Sequence, residues 1–256
     1  MYRGGIIKKS AEQLEEMAVA GTIQARCLRM LRSKVRPGVT TRELDEAAER
    51  FIASQGAEPT FLGYHGFPGS ICASPNSMVV HGIPGDYVLR RGDLLSIDVG
   101  VTKDGWVADA AITAGVGEID GVARRLLETT EAALNAGAAQ ARPGNHLGDI
   151  SHAVQERTER DGFSIIRTLV GHGVGREMHE DPQVPNFGQA GRGPKLEPGM
   201  VLAIEPMVNV GGPEVRMGPD GWAVYSSDGS LAAHFEFTVA VTAEGPRILT
   251  PWHLDP

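Results

Sequence analysis

The sequence predicts an α+β fold in two similar halves, each a helix pair laid against largely antiparallel strands. Three observations carry that expectation. An Arg-Pro-Gly stop occurs twice, at Arg36-Pro37-Gly38 and Arg142-Pro143-Gly144, 106 residues apart, and the glycines that close the helices after each stop, Gly56 and Gly162, are also 106 apart. In the same frame Leu44 and Ala47 fall on Ile150 and Ala153. Away from the helical segments, short runs alternate apolar and polar residues, and the 33 glycines and 16 prolines indicate many turns. Helices gathered on one side of an antiparallel sheet make an α+β arrangement.

Each element has its own signal. Ser10 and Gln13 form a capping box, and Leu14, Met17, Gly21, Leu28 and Leu31 follow at mostly helical spacing, so a long amphipathic helix is expected from 10 to about 34. Thr40 and Glu43 form a second box, followed by the apolar stripe Leu44, Ala47, Ala48, Phe51 and Ile52 up to Gly56. Residues 120–141 and 147–161 repeat this helix pair. Apolar runs at 60–64 and 163–170 then lead toward His65-Gly66 and His172-Gly173. Strands are expected at 94–101, 106–114, 200–207, 232–242 and 247–249. In the fourth, Phe235, Phe237, Val239 and Val241 should share one face, with Glu236, Thr238 and Ala240 on the other.

At 256 residues the chain makes either one large domain or two small ones, and it is read as one domain, 1–256, whose repeats span roughly 10–115 and 116–250. A chain of this size buries enough surface to hold a deep, partly dry cleft. The 24 basic and 32 acidic residues give a net charge of −8, which lacks the positive field of a nucleic-acid binder. Two cysteines, Cys27 and Cys72, suit a reducing compartment, and a cytoplasmic location is expected. The basic residues before Ser10 are followed by Glu12, Glu15 and Glu16 rather than by an apolar stretch, so neither a secretion signal nor a membrane span is expected.

Five residues stand out chemically. Residues 94–111 read as a β-hairpin turning at Asp104-Gly105; a two-residue turn pairs Lys103 with Trp106, so partners sum to 209 and Asp109 faces Gly100 while Asp98 faces Ala111. The two aspartates then lie diagonally on one face, with the glycine leaving room between them. Glu205 and Glu236 each interrupt an apolar run, where a glutamate needs a partner. His172 stands between glycines in Gly171-His172-Gly173-Val174-Gly175. Four carboxylates and an imidazole suit a hard or borderline divalent ion such as Mn, Fe, Co or Zn, and suit a pair of them about 3.5 to 4 Å apart. No thiolate takes part, which argues against a structural zinc.

In order and context these five residues resemble the metal ligands of type I methionine aminopeptidases, two-metal enzymes with a duplicated "pita-bread" fold. The resemblance covers nearly the whole chain, through Gly63-Tyr64-His65-Gly66-Phe67-Pro68, Val80-His81-Gly82-Ile83-Pro84, Ser96-Ile97-Asp98-Val99, Gly171-His172-Gly173-Val174-Gly175, His179-Glu180-Asp181-Pro182 and Ile204-Glu205-Pro206. It implies that Asp109 and Glu236 bridge two divalent metal ions, that Asp98 completes one, and that His172 with Glu205 completes the other. It further implies Glu205 as general base, with His81 and His179 binding the substrate and stabilising the transition state. Tyr64, Phe67, Cys72, Met178 and Trp222 are placed around the first side chain, and His81 and His179 beside the second residue. The implied substrate is the N-terminal Met of nascent polypeptides, the implied form a monomer, and any ribosome contact follows only from that substrate. The chain departs from the family at Gly100 and Ala110, where hydroxyl residues often follow the metal aspartates, at Val80, where some bacterial members have cysteine, and at Met178, where an aromatic is common.

Two other readings compete. A proline-specific peptidase of the same fold would share the five ligands but carries an additional N-terminal domain, whereas fewer than a hundred residues precede Asp98 here. Non-catalytic relatives that bind ribosomes or RNA typically lose metal ligands, and here all five are present with an unfavourable net charge. Glu236 follows Glu205 by only 31 positions, which leaves no space for the long insertion of type II enzymes.

Overall fold

Both expected capping boxes form. In the computed structural model, which describes residues 5–254, the Ser10 side chain accepts from Gln13 N while the Gln13 side chain accepts from Ser10 N, and helix α1 (Ala11–Lys34) follows. Thr40 and Glu43 do the same for α2 (Thr41–Ser54). The second pair is α3 (Gly121–Ala139) and α4 (Leu147–Arg160). Helices α2 and α4 are both 14 residues long and their bounds differ by 106 at each end. The stops match as well: Gly38 and Gly144 have φ of 91° and 92°, and Gly56 and Gly162 have φ of 61° and 83°. These left-handed conformations explain why glycine stands there.

The strands of the first half are β1 (Glu58–Pro59), β2 (Cys72–Pro75), β3 (Met78–Val80), β4 (Leu94–Lys103) and β5 (Trp106–Gly115). Those of the second half are β6 (Ser164–Ile165), β7 (Gly171–Gly173), β8 (Glu180–Val184), β9 (Val201–Ile204), β10 (Met207–Asn209), β11 (Val215–Met217), β12 (Val224–Ser226), β13 (Ala232–His234), β14 (Phe237–Thr242) and β15 (Gly245–Ile248). Every described strand pair is antiparallel. Strand β4 pairs with β1 and β2 on one edge and with β5 on the other, and the second half holds the sheet order β15-β14-β9-β7-β8. The hairpin register is the expected one, with Lys103 opposite Trp106, Gly100 opposite Asp109 and Asp98 opposite Ala111.

One expectation is corrected. The runs 200–207 and 232–242 are not single strands: each breaks at its glutamate, between β9 and β10 at Glu205-Pro206 and between β13 and β14 at Phe235-Glu236. Pro206 has no N–H to continue the ladder, and the break lets Glu205 leave the sheet. Both faces of the alternating run 235–241 are covered, with Phe235, Glu236, Phe237, Thr238, Val239, Ala240 and Val241 all buried. The runs 60–64 and 163–170 are mostly turns, with a 3-10 turn at Tyr64–Gly66 and only the short β6.

One apolar cluster takes residues from both helix pairs and both halves, including Leu28, Leu44, Ile97, Leu134, Ile150 and Phe237. Helix α1 packs on β4 and β5, and its buried Gln24 donates from Nε2 to Val99 O at 3.1 Å and Ala110 O at 2.9 Å, at the rung that follows both aspartates. Among the described residues no helix is long and apolar enough to cross a membrane. The closest approach on α1 is at Gly21, where an added Cβ would lie 2.0 Å from Leu249 O. Alanine normally exceeds glycine in helix propensity by about 1 kcal/mol. Here the clash reverses the sign, and Gly21→Ala is expected to destabilise the fold by roughly 1–3 kcal/mol, read as a lower urea midpoint; a raised midpoint would contradict this packing.

Candidate metal centre

The seam between the halves is where the acidic residues meet. Strand β14 lies beside β5: Asp109 N donates to Thr238 Oγ1 at 3.0 Å, Thr238 Oγ1 donates to Asp109 O at 2.7 Å, and Glu236 N donates to Ala111 O at 2.9 Å. Asp98 and Asp109 come from the hairpin of the first half. His172 on β7, Glu205 after β9 and Glu236 before β14 come from the second. His172 is opposite Ala203 and Ile204 opposite Phe237, so the sheet register brings these three to one end. The glycines around His172 are sterically required, since a Cβ at Gly171 would lie 2.2 Å from Ala203 O and one at Gly173 2.3 Å from Asp181 O. Asn186 Nδ2 donates to Glu205 O at 3.0 Å and Trp252 Nε1 to Glu236 O at 2.9 Å, fixing the backbone at both glutamates.

All twelve residues singled out in the sequence line one cavity of about 210 Å³. Its floor is Asp98, Asp109, His172, Glu205 and Glu236; its wall is Tyr64, Phe67, Cys72, Met178 and Trp222, with His81 and His179 beside them. Asp109, His172 and Glu236 are buried, while Asp98 and Glu205 are half-buried. Ligand atoms of Asp109, His172 and Glu236 all lie within 4.8 Å of one another. His172 Nε2 is 3.9 Å from Asp109 Oδ2 and 3.7 Å from Glu205 Oε1. Its Nδ1 meets Gly173 O at 2.9 Å, a contact that places the ring hydrogen on Nδ1 and leaves the Nε2 lone pair facing the carboxylates. The gap at Gly100 is taken up by Phe61, whose ring a Cβ there would meet at 2.8 Å, and not by the space between the aspartates.

Charge makes this arrangement costly without a cation. Burial, with Asp109 and Glu205 nearby, pushes the Asp98 carboxyl well above the usual range; burial and Asp109 do the same for Glu205, and burial with Asp109, Glu205 and Asp98 for Glu236. Burial raises Asp109 to about 7, partly offset by its bond with Asp98. His172 is driven down to about 3, chiefly by burial and also by His179. Buried Asp98 Oδ1, Asp109 Oδ1 and Glu236 Oε1 have no hydrogen-bond partner among the described residues. Oxygen atoms orphaned in this way beside a neutral imidazole fit divalent-cation binding, which supplies the missing countercharge.

A consequence for the metal-free protein follows by linkage. Carboxylates raised in the fold hold protons that the unfolded chain has released, so the stability they confer is lost as pH rises through about 7, the value for Asp109. The buried imidazoles act oppositely, but only below about 6.5, where the unfolded chain takes up their protons. Between about pH 6.5 and 8 the melting temperature of chelated protein is therefore expected to fall; a flat or rising profile would show that the fold does not hold these buried carboxyls protonated.

The wall was harder to read than the floor. Trp222 is half-buried and packs edge-on to Phe67 at 5.1 Å, so the polar stretch around it does not leave it free in solvent. Phe67, Cys72 and Met178 belong to a second apolar cluster against which Tyr64 and Trp222 pack. His179 Nδ1 meets Tyr64 Oη at 2.8 Å, and its ring lies 4.3 Å from that of His172. His81 has a left-handed φ of 60° and is exposed, at the rim. Three residues near the cavity escaped sequence reading. Phe61 and His65 line it, and His234 lies buried behind Glu205 with Nε2 3.5 Å from Oε2. His65 stands inside the Gly63–Pro68 motif without having been given a role, and Phe61 lies just before it; His234, two positions before Glu236, gave no signal apart from being a histidine in an apolar run.

Carboxylates and imidazole gathered at the seam of two helix-sheet halves define a metallohydrolase of the pita-bread class. Residues 15–243 match metallopeptidase family M24, and the chain belongs to that family. It is 52% identical over 245 residues to a methionine aminopeptidase of Clostridium perfringens (96% of this chain, 98% of that one). The crystal structure of a methionine aminopeptidase from Rickettsia prowazekii superposes with a TM-score of 0.94 at 40% identity, covering 96% of this chain and 99% of the other. A prolidase from Pyrococcus furiosus shares the fold, with a TM-score of 0.76 at 24% identity, and this chain covers 65% of its length.

Proposed function

We propose that this metallopeptidase removes the amino-terminal methionine from peptides whose second residue is small. The observation that carries the reading is the union, in one cavity, of an acidic floor with an apolar wall of aromatic rings and sulfur. Asp98, Asp109, His172, Glu205 and Glu236 would hold two divalent ions, Asp109 and Glu236 as ligands common to both, Asp98 as a ligand to one, and His172 with Glu205 to the other. The donor set accepts Co, Mn, Fe or Zn, and availability selects among them. Bound there, the ions supply Lewis acidity, polarising the scissile carbonyl and lowering the pKa of water.

The remaining work falls to side chains. Glu205, half-buried and open to the cavity, takes the proton of the attacking water on a carboxylate oxygen and returns it to the leaving amine. His179 is anchored through Nδ1 by Tyr64; when the phenol donates that bond, Nε2–H is free to donate to the carbonyl oxygen as negative charge develops there. His81 at the rim orients the second residue. Tyr64, Phe67, Cys72, Met178 and Trp222 hold the first side chain. An unbranched thioether suits them, with sulfur-aromatic contacts of roughly 0.3–1.5 kcal/mol added to ordinary burial. Cys27 and Cys72 are buried free thiols, consistent with a reducing, cytoplasmic setting.

Selectivity tests the reading. The kcat/KM for Met-Ala and Met-Gly peptides should far exceed that for Met-Leu and Met-Lys, because bulk at the rim beside His81 and His179 displaces the carbonyl. Norleucine should replace methionine with a loss of no more than about 1–3 kcal/mol in transition-state binding, while branched side chains clash and alanine leaves a void. Equal rates for Met-Ala and Met-Lys would refute the rim argument, and release of leucine faster than methionine would refute the slot.

A further inference from the structure

His234 is a buried polar side chain for which the assignments above have no use. It ends β13 and is 2% exposed. Its backbone is tied to β5, with N–H donating to Thr113 Oγ1 at 2.9 Å and its carbonyl accepting from the same hydroxyl at 2.8 Å. The ring is therefore held in place, yet both its nitrogens are buried without a hydrogen-bond partner among the described residues. A native structure rarely leaves both donor and acceptor of an imidazole unmet unless the site has a use for one of them.

Nε2 points at acid. It stands 3.5 Å from Glu205 Oε2 and 4.0 Å from Glu236 Oε2, while the other oxygen of Glu205, Oε1, stands 3.7 Å from His172 Nε2. Glu205 thus lies between two imidazoles, one at each oxygen. They are not equivalent. The Gly173 carbonyl fixes the hydrogen of His172 on Nδ1 and turns a lone pair toward the centre. The described residues hold no carbonyl bonded to Nδ1 of His234, and the two carboxylate oxygens opposite its Nε2 favour the tautomer that carries hydrogen there.

We propose that His234 is a positioning residue for Glu205: its Nε2–H closes on Oε2 and turns the carboxylate so that Oε1 serves the His172 side of the centre. A shift of about 0.5 Å converts the present separation into an ordinary N–H···O bond. A histidine used in this way supports a ligand from behind, as outer partners of metal ligands commonly do. The proposal rests on the role given to Glu205 above.

Three variants and one spectrum test it. His234→Leu removes the donor at similar volume, His234→Gln keeps an N–H donor, and Glu205→Gln probes the underlying role. With Met-Ala-Ser as substrate, His234→Leu should lower kcat by about 10- to 100-fold with little change in KM, and should weaken Mn(II) binding measured by calorimetry. His234→Gln should recover most of both. Independently of turnover, the 15N spectrum of histidine-labelled, zinc-loaded protein should show His234 as the Nε2–H tautomer, with a signal that moves in Glu205→Gln. An Nδ1–H tautomer, wild-type kcat and Mn(II) affinity in His234→Leu, or equal losses in the Leu and Gln variants would each overturn the proposal. If Glu205→Gln alone keeps wild-type kcat, the role of Glu205 fails, while the tautomer still reports on its contact with His234.

Discussion

Replacing Asp109 or Glu236 by alanine is expected to abolish divalent-ion binding and to lower kcat/KM by on the order of 10³ or more, since Lewis-acid stabilisation of several kcal/mol corresponds to a factor of ten per about 1.36 kcal/mol. Both residues are buried at the seam, each with a carboxylate oxygen that no other described group satisfies. Loss of fold does not account for such a result. In the metal-free protein these carboxylates repel one another, Asp109 being a cause of the raised pKa of Asp98, Glu205 and Glu236. Metal-free Asp109→Ala should therefore melt no lower than metal-free wild type. Metal content by elemental analysis, set beside kinetics and melting, checks all three statements. Full activity with both ions retained would remove Asp109 from the centre.

His179→Ala is the second large effect, and it should fall on kcat. A donor that strengthens its bond as charge develops on the carbonyl oxygen contributes mainly in the transition state, commonly by factors of order 10² to 10³. Metal content should be unchanged, because His179 faces Tyr64 at 2.8 Å through Nδ1 and does not belong to the group of close ligand atoms formed by Asp109, His172 and Glu236. Tyr64→Phe should show a smaller loss in the same direction, since it removes the anchor and leaves the donor. A His179→Ala protein that had lost metal would make His179 a ligand, and one with wild-type kcat would deny it a catalytic role.

The parts of the molecule legible in the sequence are those set by local rules. Capping boxes at Ser10 and Thr40, left-handed glycines after each stop and the two-residue turn at Asp104-Gly105 are short-range devices, and all three lie where the residues place them. The repeat at a spacing of 106 reappears as two helix pairs for the same reason. The acidic floor was legible because a carboxylate in an apolar run is chemically conspicuous. What failed depended on the partner across the seam. Pro206 is a local sign of the break at Glu205, but nothing local marks the one at Glu236, because that interruption serves a site built from the other half. Likewise alternation puts Glu236, Thr238 and Ala240 on one face without showing what covers it, which is seen only when Thr238 is found bonded to Asp109. Phe61 and His234 owe their importance to where the chain returns in space, and a periodicity of two or of 3.6 carries no record of that.

The most direct test is the release of free methionine from Met-Ala-Ser by the purified chain, before chelation, after it, and after Co(II) or Mn(II) is added back. Release should be efficient, fall to background on chelation and return with either ion. Release that persists in demonstrably metal-free protein, or no release with the centre fully loaded, would contradict a metal-dependent methionine aminopeptidase.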